Sequence, residues 1–297
     1  MPASINEPIG PRSSFLALLV SFFWAGNVAA LKLGLDVFPP FWNAFWRMLF
    51  GVAVLLLWGW WQRIPLWPPP GERRRLVQLG LLFAAQILLL NSGADLTSPA
   101  YGVVLINAHP VFANLFGHFG AHEQRLEPLR LLGLGLAFAG VCVLVLGKPD
   151  PGLASNPLFG NALLVVSAAL LGLRSVYTRT LVQGIDPVRA ITWQCTVSTL
   201  VFLVMALLFE PPRLRPVSTV AVGGLAYQGV VVAGFCFVVW TELLRRHSAG
   251  TLSMFAFTIP FFGVAVSALI FGEAITPRIV LAGVMVTAGI AVVTVRR

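Results

Sequence analysis

Charged side chains are scarce in this sequence: Asp, Glu, Lys and Arg make up 10% of the 297 residues, against 58% hydrophobic. A soluble domain carries about 25% charged residues to keep its surface wet, so most of this surface faces something other than water. There is no long polar stretch in which a separate soluble domain could fold. Acid is rarer than base, with 11 Asp and Glu against 20 Lys and Arg and a net charge of +9. That excess does not read as a nucleic-acid footprint, because the arginines sit in short loops between apolar runs and not on one solvated face. In a membrane protein it is the ordinary anchor against an anionic leaflet. Cysteine is limited to Cys142, Cys195 and Cys236, each alone in an apolar run, which removes metal-type spacing and leaves small packing side chains. Also missing is a Gly-rich phosphate loop ending in Lys and Ser/Thr, so direct use of ATP is not expected, nor any cofactor or metal.

The apolar runs are what remains. A helix needs about 20 apolar residues to cross the hydrocarbon core. Cutting at Pro, Gly and charge clusters gives ten such segments, at 14–33, 40–61, 76–95, 98–119, 128–147, 158–180, 187–209, 218–243, 249–271 and 277–295. The cuts include DVFPP, RIPLWPPPGERRR, GKPDPGLASNP and EPPRLRP, which cannot continue a helix. The run Phe15 to Leu33 is a full span with no small-residue cleavage pattern after it, and is expected to be retained. Placing the N-terminus in the cytoplasm puts thirteen Lys and Arg on that side against five on the other. The positive-inside rule then predicts an inner, plasma-type membrane protein with both termini cytoplasmic.

The two halves resemble each other. LINAHPVFANLFGHFGAHEQRLEPLRLLG (105–133) lies over FAFTIPFFGVAVSALIFGEAITPRIVLAG (255–283) at an offset of 150, superposing Pro110 on Pro260, Glu123 on Glu273, Leu131 on Leu281 and Gly133 on Gly283. Near the start of the second span, Pro40, Trp46 and Arg47 fall on Pro187, Trp193 and Gln194 at an offset of 147. Five spans per half is an odd number, so the second half is inserted upside down. The expected fold is an all-α membrane protein of ten helices in two inverted five-helix repeats, 14–147 and 158–295, with a site near mid-membrane where the halves meet. On these residues the chain resembles a known family. SFFWAGNVAALKLG in the first span is similar to the W-G-x-N … K start of the EamA branch of the drug/metabolite transporter superfamily, and the P-[x]12-E-[x]9-G ends of both halves are similar to its repeat signature. Leu170 and Leu171 replace the family's W-[GA] pair in the second half, so a motif role for Trp24 does not carry over to Leu170. The resemblance implies substrates such as amino acids, other metabolites or organic cations, often moved outward, with aromatic amino-acid exporters as one subgroup.

A strongly polar residue at membrane depth is costly unless paired or hydrated, and so marks function by default. The sequence offers Asn27, Asn43, Arg47, Gln86, Asn91, Asn107, His109, Asn114, His118, Arg174, Tyr177, Gln194, Tyr227 and Gln228, with no deep carboxylate among them. A cation-for-proton exchange on a buried acid is therefore disfavoured. Arg47 and Arg174 suit a carboxylate, which a guanidinium holds with a bidentate fork. Helical spacing puts Trp24 and Asn27 on one face of span 1, Asn43, Trp46 and Arg47 on one face of span 2, Phe83 and Gln86 on span 3, and Arg174 with Tyr177 on span 6. Such faces fit an amphipathic cargo, whose apolar part stacks while its polar end is hydrogen-bonded. The substrate-binding candidates are Trp24, Asn27, Asn43, Trp46, Arg47, Gln86, His109, Arg174, Tyr177, Gln194 and Tyr227. Pro110 and Pro260 are candidate hinges, because each frees a backbone carbonyl one turn earlier. Asn and Gln can equally serve as interhelical hydrogen bonds, and Glu123 and Glu273 as fixers of helix-end geometry.

The leading expectation is a non-ATP secondary transporter, an exporter of aromatic or large neutral amino acids and related metabolites working by alternating access, with two five-helix bundles rocking about a central site. Glycines at 133, 135, 140, 283 and 289 would let its helices approach closely. Alternatives are an exporter of other metabolites or drugs, a channel-like or structural membrane subunit, and an intramembrane enzyme, the last disfavoured because His109 and His118 lack nearby carboxylates. The expected partners are a small-molecule substrate and membrane lipids, and a monomer suffices.

Overall fold

The computed structural model describes residues 9–121, 128–149, 151–210, 216–247, 252, 255–256 and 258–295, and every regular element among them is helical. In chain order these are α1 (Pro11–Ala25), α2 (Asn27–Leu35), α3 (Pro40–Trp61), α4 (Pro70–Leu96), α5 (Pro99–Ile106), α6 (His109–Ala121), α7 (Pro128–Val145), α8 (Pro157–Leu181), α9 (Pro187–Phe209) and α10 (Thr219–Ala226). A π-helix (Tyr227–Cys236), α11 (Phe237–Arg246), α12 (Ile259–Phe271) and α13 (Pro277–Val295) follow. Seven helical stretches are long and apolar enough to span a bilayer, and three shorter apolar helices bring the count to the ten segments read from the sequence. Proline opens most of the helices, at a position where its missing N–H costs nothing.

Several spans depart from a regular α-helix. The first is interrupted by a single turn residue, Gly26, whose N–H reaches Phe22 O at a long 3.4 Å. The fourth is interrupted at Asn107–Ala108, and Pro110 then takes the second position of α6. Pro260 occupies the same position in α12. The eighth span widens into ten residues of π-helix, a form that is rare and concentrates at functional sites.

The halves are interleaved. Helix α3 packs on α9, α4 on α8 and α9, α5 on α12, and α7 on α13, so most pairings join one half to the other. The two five-helix repeats therefore share one core: neither half keeps a core to itself, because each helix buries its apolar face against a partner from the other half. The closest approach is α7 on α13, where Gly140 and Gly289 face the opposing backbone. Gly135 and Gly283, expected at such a contact, meet nothing within 4 Å. The reason is helical phase: positions 133, 137, 140 and 144 share one face of α7, and 135 lies off it.

Charged residues finish the helix ends at the side of the bundle where α3 begins. The Glu210 carboxylate, placed by the end of α9, accepts from Phe41 N at 2.9 Å and Trp42 N at 3.0 Å, and the Trp42 indole donates to Glu210 O at 3.3 Å. Buried Glu273 accepts from Ala100 N at 3.0 Å, at the start of α5. Lys32 donates to the carbonyls of Ala94, Asp95 and Thr97 at 3.1, 3.0 and 3.1 Å, closing the end of α4. Opposite charges at opposite helix ends follow the helix dipole. Glu273 thus fixes helix-end geometry as its sequence position suggests, while Glu123 lies outside the described residues. At the other side, Arg189 joins Glu72 at 2.8 Å and Pro65 O at 2.7 Å, so α9 is tied to the first half at both ends. Substituting Glu210→Gln removes the charge and one acceptor from the α3 cap. We expect it to cost about 1–2 kcal/mol, seen as a lower midpoint of thermal unfolding in detergent. An unchanged midpoint would deny the cap an energetic role.

Candidate functional site

The two deep arginines come together from opposite halves. Arg47 stands on α3 and is 3% exposed. Its Nε and Nη1 make no hydrogen bond among the described residues. Arg174, on α8, donates from Nη1 to Gln194 Oε1 on α9 at 3.0 Å, and its Nε has no partner among the described residues. The guanidinium of Arg174 lies over the Phe83 ring at 4.7 Å, a cation–π contact. The two cations are within electrostatic reach of each other, and the fully buried Cys195 is close to both. His109, at the start of α6, is within electrostatic reach of Arg174, and its Nδ1 lies 3.2 Å from Ile106 O.

Aromatic rings continue from that centre. Phe83 meets Phe237 at 6.4 Å between centroids, Phe237 meets Trp24 at 6.4 Å, and Trp24 meets Trp240 at 4.8 Å. The chain of contacts therefore runs from two guanidiniums to a wall of four rings drawn from α1, α4 and α11. A centre of this composition can hold an anion at one end and stack an apolar group at the other.

Amides line the same faces. Asn43, one turn before Arg47, is fully buried, and neither its Oδ1 nor its Nδ2 is hydrogen-bonded among the described residues. Asn27 Oδ1, at the Gly26 break, is likewise without a partner among them. Tyr227 opens the π-helix, and its hydroxyl donates to Phe23 O at 2.6 Å beside Gly26, with its ring edge-on to Phe23 at 6.3 Å. It links the broken first span to the irregular eighth.

Other candidates are placed elsewhere. Gln86 donates to Ser167 Oγ at 3.1 Å while Ser167 donates back to Gln86 O at 2.8 Å, a clasp between α4 and α8. Tyr177 donates to Gln78 Oε1 at 3.1 Å and packs on the apolar cluster of Leu76, Leu79, Leu181, Ile185 and Ala190. That cluster sits towards the end of α8, two turns from Arg174 along the helix. Trp46 meets Phe45 edge-on at 5.0 Å and Phe50 at a tilt at 6.3 Å, both on its own helix. The side chains of Asn114 and His118 lie outside the described set. Sequence reasoning did not single out Cys195, Phe237 or Trp240, whose apolar runs look like ordinary packing. The one available signal was spacing, since Phe237 and Trp240 are three apart on one helical face.

Comparison with known proteins agrees with this architecture. A family model for the EamA-like transporter family matches twice, at residues 12–146 and 158–295. The chain is 25% identical over 272 residues to the "Uncharacterized transporter YoaV" of Bacillus subtilis, covering 91% of this chain and 92% of that one. It is 24% identical over 290 residues to a "Probable amino-acid metabolite efflux pump" of Salmonella typhimurium, covering 94% and 93%. A solved crystal structure superposes with a TM-score of 0.71 at 20% identity, covering 96% of each chain, a likeness that shows the fold. With two matched repeats spanning nearly the whole chain, this protein is an integral membrane member of the EamA-like transporter family.

Proposed function

We propose that this transporter exports small metabolites that carry a carboxylate, with large neutral and aromatic amino acids as its principal cargo. It would sit in the inner membrane with both termini cytoplasmic, in keeping with the thirteen-to-five distribution of Lys and Arg. The observation that carries the reading is the pair of converging arginines whose Nε atoms, and Arg47 Nη1, have no hydrogen bond among the described residues. A buried cation without a counter-charge costs several kcal/mol. A carboxylate arriving between Arg47 and Arg174 removes that cost through charge-assisted, bidentate bonds. The Phe83, Phe237, Trp24 and Trp240 rings offer stacking area for an apolar side chain. Relatives named "Probable amino-acid metabolite efflux pump" support the outward direction.

Because the two arginines belong to opposite halves, displacing α3 against α8 would separate them and weaken the grip on the anion. Gly26, the interruption before Pro110 and the matching position of Pro260 would serve as hinges for such a motion, which supports alternating access. The test is counterflow in proteoliposomes. Purified protein should exchange labelled phenylalanine or leucine saturably, and Arg47→Ala should abolish the exchange. No saturable flux of any neutral amino acid, or flux indifferent to Arg47→Ala, overturns the reading.

A further inference from the structure

Two amides near the arginines are unexplained by a site that reads only a carboxylate. Asn43 is fully buried, with both amide atoms free of hydrogen bonds among the described residues. Gln228, on the π-helix, is also fully buried. Its Nε2 donates to Ala30 O at 3.2 Å, which leaves its Oε1 without a partner among those residues. The two side chains converge on Gly34 of α2. A Cβ there would run into Asn43 Nδ2 and would lie 3.5 Å from Gln228 Nε2, so glycine is what lets both amides occupy the gap between α2, α3 and the π-helix. Unsatisfied buried amides cost free energy. This cluster also abuts the anion site, since Asn43 and Arg47 are one helical turn apart on the same buried face of α3.

We propose that Asn43 and Gln228 read the ammonium group of the cargo, so that the substrate class is the zwitterionic α-amino acid and not the simple carboxylic acid. This inference rests on the carboxylate-site reading above. The chemistry matches in detail. The carboxylate and ammonium of an α-amino acid hang from one carbon, so their binding groups must lie within about one helical turn, roughly 5.4 Å, of each other, as Arg47 and Asn43 do. In either orientation the Asn43 amide offers one donor and one acceptor. Its Nδ2 lies against Gly34 next to the Gln228 Nε2, so its carbonyl joins the Gln228 carbonyl on the ammonium and the carboxylate is left to Arg47. Neutral amides suit this task beside two guanidiniums. They orient a cation by their dipoles, whereas a carboxylate in the same place would pair with the arginines and close the anion site.

A site built to pair a polar group rejects an analogue that lacks it, because its own buried groups are then left unpaired. The test is competition against counterflow of labelled L-phenylalanine or L-leucine by matched acids, 3-phenylpropanoate and 4-methylpentanoate, each lacking only the ammonium. Wild-type protein should favour the amino acid by at least about 30-fold. Gln228→Met, which keeps length and removes the carbonyl, should reduce that preference to about 5-fold or less while leaving the affinity for the acid unchanged. If the matched acids compete as well as the amino acids with the wild type, the ammonium inference is overturned and the carboxylate site stands. The inference is equally overturned if Gln228→Met weakens both ligands to the same extent, which would mark Gln228 as packing. If neither amino acid is carried at all, the carboxylate reading falls and this inference with it. Should Gln228→Met not fold, the wild-type preference alone decides.

Discussion

Replacing Arg47 by methionine is expected to abolish saturable transport while leaving the protein as stable as the wild type or more so. Most substitutions of a buried charged residue destabilise, because they strand the partner it leaves behind. At Arg47 that penalty is small: its Nε and Nη1 are without hydrogen bonds among the described residues, and it feels the like charge of Arg174. Methionine keeps much of the length of the arginine stem and removes both the uncompensated burial and the repulsion. Replacing buried ionic groups by well-packed apolar ones is often neutral or gains about 1–4 kcal/mol, and the gain here should lie at the lower end, since one residue changes. Binding responds in the opposite direction. Each charge-assisted hydrogen bond is worth about 1.5–3 kcal/mol, so losing a bidentate pair should weaken a carboxylate ligand by about 100-fold or more. Thermal unfolding in detergent and counterflow in proteoliposomes read the two effects separately. An Arg47→Met protein that unfolds earlier would make Arg47 a structural residue; one that still exchanges amino acids would remove it from the site.

That divergence between stability and transport follows from residues whose roles were only partly visible in the sequence. Hydropathy and charge gave the ten segments, because a span must satisfy its backbone internally and exclude charge, and both demands are written locally. The inverted repeat was legible in registered pairs such as Pro110 with Pro260 and Glu123 with Glu273. What the sequence could not separate was a polar residue serving cargo from one serving a neighbour. Gln86 and Arg174 look alike as deep polar positions. Gln86 closes a reciprocal clasp with Ser167, whereas Arg174 keeps a free Nε. Tyr177 shares a helical face with Arg174 yet donates to Gln78 and packs on a separate apolar cluster. These outcomes depend on which helix lies opposite, and interleaving of the halves is a tertiary property with no local signal. The π-helix at Tyr227–Cys236 is equally silent in an apolar run. Its Gly229 and Gly234 become intelligible once α3 is seen against them at Phe50 and Val54.

The interleaving itself yields the largest stability effect. Gly289 on α13 faces α7 so closely that a Cβ would stand 2.5 Å from both Gly133 O and Ala137 N and 2.7 Å from Ala137 Cβ. Two of these three neighbours are backbone, so no side-chain rotation can make room. Gly140 completes the contact from the other helix, with a Cβ there meeting Met285 Cβ at 2.9 Å and Ala282 O at 3.0 Å. In lipid no hydrophobic force holds helices together, and association rests on such close packing. A valine at position 289 must therefore push α13 off α7 along its length, and we expect Gly289→Val to cost at least about 3 kcal/mol, the upper range for overpacking. The same change at Gly283, which meets nothing within 4 Å on the same helix, should be nearly neutral. Comparing the two variants by yield of folded protein and by unfolding midpoint isolates the contact from any general intolerance of α13 to valine. Equal losses at both positions would mean that helix propensity, and not the α7–α13 seam, sets the cost. A loss confined to Gly289 would establish that seam as a tight joint between the two halves.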